Sequence, residues 1–336
     1  MTGSTLTVRG LTVRYGSTTA LQDVDLDVRA GTLTGLLGRN GSGKTTLLSV
    51  AAAFRRPTAG QVLVDGEDPW ENERIAPHVH LVRESGDVLV AERLSATLRM
   101  VADARPDFSH ELAGTLLDTF ELDVRTRPDK LSRGKRSAFG IVLGLASRAR
   151  LTLLDEVHLG LDAPSRYAFY DALVADYVEH PRTIVLSSHL IAEIDRLLED
   201  VVVLDRGRLL LAEDAETLRG HGLSVTGPAD AVERFVAGRT VLGRQRLGGT
   251  AQATLLGPPD EAEAEQARDA GLELGPVPLQ DLFVHLTADG APAFTGAARR
   301  TAHDAPPPAR PDGDRPDPRP TDALPAGTRA TSDQEA

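Results

Sequence analysis

The 336-residue sequence contains no cysteine, and aromatic residues make up only 4% of the chain. The absence of cysteine excludes a disulfide framework and suits the cytosol. The chain also lacks an uncharged apolar run of about 18 residues or more, the length that a membrane-spanning helix needs. Its polar start, Met1-Thr2-Gly3-Ser4-Thr5, leads us to expect no signal peptide. Together these absences predict a chain that is soluble by itself.

Lysine is scarce as well, because only three of the 37 basic residues are lysines, at Lys44, Lys130 and Lys135. The formal net charge of −12 argues against broad nucleic-acid binding, which favours a basic face. We therefore expect no nucleic-acid partner.

A chain of this length can bury a sizeable core and has room for one large domain or two.

The segment Gly38 to Thr45 fits the phosphate-loop pattern G-x-x-x-x-G-K-[ST]. An apolar run, Leu33 to Leu37, precedes it as a predicted strand, and a helix is predicted to start at Thr45. A glycine-rich turn between a strand and a helix can wrap phosphates with its backbone N–H groups. The predicted nucleotide contacts are Gly38, Asn40, Gly41, Ser42, Gly43, Lys44, Thr45 and Thr46.

Within this segment Lys44 is predicted to reach the β- and γ-phosphates, and the Thr45 hydroxyl to hold Mg²⁺. The alternative is a glycine-rich turn with an accidental lysine. A compact ammonium in a chain that otherwise uses arginine favours the phosphate loop, since a flat guanidinium would not fit the cradle.

A second apolar run, Leu151 to Leu154, ends in the adjacent carboxylates Asp155 and Glu156. We predict that Asp155 holds Mg²⁺ and that Glu156 orients or deprotonates an attacking water. A strand that simply runs into an acidic loop is the alternative.

His189 closely follows a further predicted strand, Thr183 to Leu186, and so lies on the rim where open α/β sheets bind ligands.

The periodicity of apolar residues in the rest of the sequence predicts how the chain is divided into domains. Residues 6–30 alternate apolar and polar side chains, as in an antiparallel sheet, and a 3.6-residue period predicts a helical insert at about 88–150. Ser132 and Gly134 are predicted to stand just before a helix, Ala138 to Ala146, with N-cap chemistry. We predict an α/β domain over 1–220, a small α+β appendage over 221–287 and a disordered proline-rich tail over 288–336.

In this order the motifs resemble the nucleotide-binding subunit of an ATP-binding-cassette (ABC) transporter over about residues 5–220. The resemblance implies a P-loop NTPase fold with a mixed core sheet, an antiparallel β subdomain and the helical insert. Gly38 to Thr45 resembles the Walker A motif, Leu151 to Glu156 the Walker B motif, and Leu131 to Lys135 the signature. His189 resembles the switch histidine, and Asp162 the D-loop aspartate.

Two further assignments rest on the resemblance. Tyr15 ends a predicted strand and by spacing alone reads as an ordinary strand tyrosine, but the resemblance places it against adenine. Glu84 stands where the family has the Q-loop glutamine near the metal, and it can bind Mg²⁺ through water.

The chain departs from the family's pattern at three places. Its signature is LSRGK rather than LSGGQ, so Arg133 replaces a glycine, Glu84 replaces the glutamine, and Val157 stands where a proline is usual. The first two departures resemble bacterial exporter-type (ABC-2-like) subunits. That branch often ends an appendage with a segment like Leu279 to Thr287.

The resemblance implies two such domains closing head to tail around two ATP molecules, with Ser132 and Gly134 covering the nucleotide held by the other chain. ATP, Mg²⁺, a separately encoded membrane permease and a second ATPase subunit are the expected cofactors and partners, at the cytoplasmic face of the membrane. The rivals are a ribosome- or DNA-associated ABC ATPase and a nucleotide-switched regulatory module. The single cassette, the lack of sustained heptads and the intact Lys44, Asp155 and Glu156 favour the transporter subunit.

Overall fold

The structure is a computed structural model that describes residues 3–84 and 92–287. The predicted start of the insert at residue 88 and the predicted disordered tail over 288–336 lie outside these residues. The strands are β1 Leu6–Tyr15, β2 Thr18–Val28, β3 Leu33–Leu37, β4 Ala59–Val64, β5 Val79–Arg83, β6 Leu151–Asp155, β7 Thr183–Ser188, β8 Asp200–Asp205, β9 Arg208–Asp214, β10 Gly222–Pro228, β11 Val241–Leu247, β12 Thr250–Leu256 and β13 Glu273–Gly275. The helices are α1 Lys44–Ala51, α2 Leu94–Ala104, α3 His110–Thr119, α4 Arg133–Ala146, α5 Ala163–Glu179, α6 Ile191–Ile194, α7 Ala215–Gly220, α8 Ala229–Phe235, α9 Glu261–Asp269 and α10 Leu279–Leu286.

A six-stranded mixed sheet positions every motif that the sequence singles out for catalysis. Its strand order is β5-β6-β7-β3-β8-β9, with β9 antiparallel to β8 and the other pairs parallel. Because parallel strands end at one edge, the segments that follow β3, β5, β6 and β7 meet there. The predicted strands Leu33–Leu37, Leu151–Leu154 and Thr183–Leu186 are confirmed within this sheet.

Alternate residues of the sheet bury two separate hydrophobic clusters, one on each face. Leu33, Leu37 and Leu154 pack on one face with helices that include α3, α4 and α5. Leu36 and Leu153 pack on the other face with α1 and the antiparallel strands. The continuous apolar runs of these strands follow from burial on both faces.

The antiparallel pattern predicted over residues 6–30 is confirmed as β1 and β2, which form a three-stranded sheet with β4 in the order β2-β1-β4. Val24, Leu26 and Val28 of β2 are buried, as the alternation predicts. A tight reversal follows β4 at Asp65-Gly66, where both residues take positive φ.

Helices fill the predicted insert within the described residues, as α2, α3 and α4. The start predicted for the last of these, at Ala138, is wrong: α4 begins at Arg133, with Ser132 as its N-cap. Its first turn is partly exposed, so the apolar period does not register it. Helix α5 has no counterpart among the predictions.

The predicted α+β appendage contains a four-stranded antiparallel sheet in the order β11-β12-β10-β13, with its own cluster of buried residues. The sequence pattern did not predict β11 or β13. Helix α10 differs from the rest of this region, because Leu279 and Leu282 join the cluster under the six-stranded sheet. The division of the chain at residue 220 stays a prediction.

Among the described residues no helix is both long enough and apolar enough to cross a membrane. The mixed sheet, the antiparallel sheet and the helical insert have the layout that the sequence predicts.

Candidate active site

The phosphate loop (Gly38 to Thr45) joins the end of β3 to the start of α1. Gly43 caps the helix with φ 107°, a left-handed conformation that favours glycine. A Cβ at this position would lie 2.5 Å from Leu21 Cδ2 and 2.9 Å from Ala20 O, so the backbone approaches β2 too closely for a side chain. Gly41 also has positive φ, at 80°. The loop is therefore shaped by its glycines as the motif requires.

Lys44 lies buried at the first position of α1 and directly contacts Glu156, the second residue of the acidic pair Asp155-Glu156. Its Nζ donates to Gly38 O at 2.7 Å and lies 3.2 Å from Glu156 Oε1. Thr45, the next residue, is exposed, whereas Thr46 is buried. The structure thus joins the phosphate loop to the predicted catalytic carboxylate through one ammonium group.

The two adjacent carboxylates differ in their surroundings. Asp155 is buried at the end of β6, where its Oδ1 accepts a hydrogen bond from Ser187 Oγ at 2.6 Å. Glu156 lies just past the strand end with φ 52°, and its backbone N–H donates to the same Ser187 Oγ at 3.1 Å. A non-glycine residue in this region is uncommon, and such strain concentrates at functional sites.

His189 completes a three-residue cluster with Lys44 and Glu156. Its Nδ1 lies 3.0 Å from Glu156 Oε2, on the carboxylate oxygen that Lys44 does not contact. The three residues follow β3, β6 and β7, which are neighbours in the sheet. A basic group on each oxygen holds the carboxylate in one orientation.

Sequence reasoning missed three residues that line this cluster: Ser187, Ser188 and His158. Ser187 bonds both acidic residues, as described above. His158 is fully buried, and its Nε2 lies 3.1 Å from Ser188 Oγ and 3.8 Å from Glu156 Oε2. Burial lowers the pKa of His158 below its usual value. The sequence signal that could have pointed to His158 is its position two residues after the acidic pair Asp155-Glu156.

Tyr15 lies at the end of β1, and the guanidinium of Arg55 covers one face of its ring at 3.8 Å from the centroid. The ring is about half exposed. Such a cation–π contact leaves the second face of an aromatic ring for another flat group. Stacking on adenine stays a prediction.

The signature segment (Leu131 to Lys135) packs against the loop that follows Glu156. Ser132 Oγ accepts from Lys135 N at 3.2 Å, which confirms its N-cap role. A Cβ on Gly134 would lie 2.7 Å from Gly160 O, so this contact requires glycine. Nearby, Asp162 caps α5 by accepting from Ser165 N at 2.9 Å, and the Ser165 hydrogen bonds lower the pKa of the Asp162 carboxyl.

The residues present fit a nucleotide with Mg²⁺. Ser42 Oγ is buried without a hydrogen-bond partner among the described residues, next to the buried ammonium of Lys44. Within those residues no group of three or more His, Cys, Asp or Glu side chains is arranged to hold a metal. Mg²⁺ typically takes one or two carboxylates and completes its shell with water and phosphate oxygens, a donor set that Asp155 and Thr45 suit.

Comparison with known proteins identifies the family. The ABC transporter family matches residues 21–158. The sulfate/thiosulfate import ATP-binding protein CysA of Rhodopseudomonas palustris is 33% identical over 261 residues, which cover 73% of this chain and 73% of that protein. The chain belongs to the ABC transporter ATP-binding family. It is an ABC-type ATPase by family and by fold.

Two further relatives match different shares of this chain. It is 32% identical to the spermidine/putrescine import ATP-binding protein PotA of Pseudomonas aeruginosa, and the match covers 65% of this chain but only 61% of that protein's length. The ABC transporter ATP-binding protein YtrB of Bacillus subtilis is 25% identical over 82% of this chain and 96% of its own length. A match of that length includes part of the appendage.

Solved structures share the ABC fold. An ATP-binding subunit of an ABC transporter is 25% identical, with a TM-score of 0.58, over 64% of this chain and 91% of that chain. The dimeric post-hydrolysis state of the ATP-binding cassette MJ0796, bound to ADP and Pi, superposes with a TM-score of 0.56 at 22% identity, over 62% of this chain and 98% of that chain.

Two departures of this ABC ATPase from the family's pattern contact each other. The Arg133 guanidinium donates a short hydrogen bond to Glu84 Oε1, and Ser137 Oγ donates to Glu84 O at 2.6 Å. The Q-loop position and the signature helix are thereby linked within one chain. Val157, the third departure, is buried in the cluster under the sheet, where an apolar side chain suffices.

Proposed function

We propose that this chain is the ATP-hydrolysing subunit of an ABC transporter. The observation that carries the proposal is the Glu156 carboxylate, with Lys44 on one oxygen and His189 on the other. A carboxylate fixed in this way beside a phosphate loop is suited to accept a proton from the water that attacks ATP. Membership of the ABC transporter family supports the same conclusion.

Each residue of the cluster has a distinct role in the proposed reaction. Glu156 orients the water and takes its proton, while His189 holds Glu156 and contacts the γ-phosphate. Lys44 neutralises negative charge on the phosphates, aided by the backbone N–H groups of the loop. Catalysis by this arrangement is positioning and charge stabilisation more than covalent chemistry.

Nucleotide binding is proposed for the phosphate loop and the residues around it. Tyr15 stacks on adenine, and Gly38, Asn40, Gly41, Ser42, Gly43 and Thr46 surround the phosphates. Thr45 and Asp155 hold Mg²⁺, which offsets the charge that develops on the phosphate oxygens. Glu84 is proposed to reach the metal through water, although in this structure its carboxylate contacts Arg133.

A second ATPase subunit is proposed to complete the site. Ser132 lies exposed at the N-terminus of α4, where backbone N–H groups favour an anion, and Asp162 is exposed at the start of α5. These residues and Gly134 would face the nucleotide of the other chain. The MJ0796 cassette, whose fold this chain shares, is described as dimeric.

The membrane partner and the direction of transport are further parts of the proposal. We place the protein at the cytoplasmic face of the membrane, bound to a separately encoded permease. PotA and CysA are named as import ATP-binding proteins, so the comparisons give no support for the predicted exporter-type branch. Export stays a prediction that rests on Glu84, Arg133 and the appendage.

A phosphate-release assay tests the enzymatic part of the proposal. Purified protein with ATP and Mg²⁺ should release phosphate, and chelation of Mg²⁺ should stop the release. Lys44→Ala should lower turnover by about tenfold or more, because the phosphates lose their buried cation. Lys130→Ala is the matched control, since Lys130 is a lysine with a 75% exposed side chain and should leave turnover unchanged. Equal turnover in the two variants would contradict the proposal.

Affinity capture tests the transporter part. Tagged Glu156→Gln protein is isolated from solubilised native membranes, and bound proteins are identified by mass spectrometry. A polytopic membrane protein in stoichiometric amount supports the permease. Ribosomal proteins or DNA-repair factors, or the absence of any partner, would favour a soluble ATPase instead.

A further inference from the structure

His158 is a fully buried histidine to which the proposed reaction assigns no role. It lies in the segment after β6, two residues beyond Glu156 and four before the exposed Asp162. Buried imidazoles are often packing residues, so the contacts of this ring decide what it does.

One ring nitrogen of His158 joins the segments that carry both catalytic residues. Nε2 lies 3.1 Å from Ser188 Oγ and 3.8 Å from Glu156 Oε2. Ser188 directly precedes His189, and its Oγ also accepts from Leu190 N at 2.9 Å. The ring therefore contacts Glu156 on one side and the turn that holds His189 on the other.

The other ring nitrogen, Nδ1, has no hydrogen-bond partner within residues 3–84 and 92–287. A buried N–H donor without an acceptor costs about 1–3 kcal/mol, so the proton belongs on Nε2. Burial also lowers the pKa of His158, which keeps the ring neutral near pH 7. The single N–H of the ring is then donated to Ser188 Oγ, whereas Glu156 Oε2, at 3.8 Å, lies beyond hydrogen-bond distance.

We propose that His158 is a positioning residue, whose Nε2–H holds the Ser188–Leu190 turn, and with it His189, in place beside the Glu156 carboxylate for ATP hydrolysis. The inference rests on the proposed role of Glu156 as the base. With His158 in place, Glu156 Oε2 faces two imidazoles, His189 at 3.0 Å and His158 at 3.8 Å. Loss of the His158 imidazole removes the donor to Ser188 Oγ and so loosens the turn that places His189 against Glu156.

Substitutions at His158 separate positioning from packing. In His158→Gln the side-chain amide can place an N–H near the site of Nε2, whereas His158→Leu keeps bulk and removes the donor. We expect His158→Leu to lower kcat by about tenfold or more with KM for ATP within about twofold, as misplacement of a catalytic group does. His158→Gln should retain kcat within about threefold.

His80→Leu is the matched control. His80 is also a buried histidine of the sheet region whose Nδ1 has no partner among the described residues, but it lies within β5, three residues before Arg83, which pairs with Asp155. This variant should keep wild-type kcat. If it loses as much kcat as His158→Leu, or if His158→Gln and His158→Leu lose kcat equally, the ring acts by packing and the inference is wrong.

Ser188→Ala provides an independent test if His158→Leu does not fold. This change removes the hydroxyl between His158 and the His189 turn with little change of volume, and we expect a drop in kcat without a change of KM. Wild-type kcat in Ser188→Ala would then overturn the inference. Failure of the proposed function has a different signature, because the wild-type protein itself would release no phosphate.

Discussion

The ion pair between Glu84 and Arg133 joins two residues that both depart from the family's pattern. A glutamate at the first position alone would place an uncompensated carboxylate beside the phosphates and Asp155. An arginine at the second alone would add an unpaired cation to the signature helix. Because the two side chains form an ion pair, each compensates the charge of the other. The two departures from the family's pattern are therefore best understood as one paired change.

A charge-reversal cycle tests this pairing. Glu84→Arg and Arg133→Glu each place like charges together and should each lower the free energy of unfolding by up to about 1 kcal/mol, as expected for an exposed pair. The double variant should recover most of that loss at low salt, and high salt should reduce every difference. Strictly additive losses in urea-unfolding measurements would show that the two side chains do not interact.

His80 predicts a pH dependence of stability. Burial, with a smaller contribution from Arg105, lowers the pKa of His80 from 6.5 to about 3. Below pH 6.5 the unfolded chain binds a proton that the folded chain excludes, so stability is lost as the pH falls from 6.5 towards 3.

The slope from His80 should approach about 1.4 kcal/mol per pH unit in this window. Unfolding of the wild type and of His80→Leu is compared from pH 7 down to pH 4, because carboxylates also titrate there and only the difference belongs to His80. Parallel curves for the two proteins would contradict the lowered pKa.

Single residues of the site were predictable to different degrees. Lys44, Glu156 and His189 stand in an ordered set of motifs, and the structure brings all three into contact. His158 belongs to no motif, and its role depends on a contact with Ser188, which lies 30 residues away in the sequence. Such a contact follows from the pairing of β6 with β7, which local sequence does not encode.

At the scale of elements, a buried ion-pair network attaches the end of α5 to its neighbours. Asp176 of α5 contacts Arg182, which precedes β7, at 2.7 Å, and Arg148, which follows α4, at 3.1 Å. Arg182 and Asp176 are almost fully buried. Each arginine therefore depends on this one carboxylate for charge compensation.

Asp176→Asn should lower the free energy of unfolding by about 3–5 kcal/mol, because the buried Arg182 and the partly buried Arg148 lose their counter-charge. Arg74→Ala is the control, since Arg74 pairs with Glu67 but its side chain is 80% exposed. The loss of unfolding free energy in Arg74→Ala should stay below about 1 kcal/mol in the same urea titration. Similar losses for both variants would mean that the Asp176 network is no stronger than a surface pair.

Helix α10 links the appendage to the segment after His189. Leu279 N donates to Asp195 Oδ2 at 3.1 Å, and Ala192 N donates to Gln280 Oε1 at 3.3 Å. Asp195 also accepts from Arg219, so one carboxylate fixes both α7 and the start of α10. The appendage is thereby attached to the segment that follows His189.

Leu282→Ala tests this docking, since Leu282 is buried in the main cluster. We expect a loss of about 2–5 kcal/mol in the free energy of unfolding. Val284→Ala on the same helix is the control, because that side chain is 57% exposed and should change stability by less than about 0.5 kcal/mol. A small effect of Leu282→Ala would show that α10 contributes little to the core.

Elements were predictable where apolar periodicity is strong. The five parallel strands of the six-stranded sheet are apolar runs because both of their faces are buried. Helix α5 was missed because only Phe169, Tyr170, Leu173 and Asp176 are buried along its 17 residues. Strand β11 was missed because its sequence, VLGRQRL, has no buried side chain to reveal a face.

At the scale of the whole molecule, the fold brings the ends of five parallel strands, β3, β5, β6, β7 and β8, to one edge of a single sheet. The proposed nucleotide site is the loop after β3, and the residues proposed for hydrolysis lie in the segments after β6 and β7. We propose that a second chain completes the site at Ser132 and Asp162, which lie exposed at two helix starts. This division explains why the motifs are spread over some 150 residues, from Gly38 to His189.

The most direct test of this account compares phosphate release by the wild type and by Glu156→Gln, with ATP binding and molecular mass measured on the same samples. We predict that Glu156→Gln binds ATP, forms a dimer in its presence and releases almost no phosphate, because the amide cannot accept the proton of the attacking water. Turnover equal to that of the wild type would contradict the central claim that Glu156 is the base.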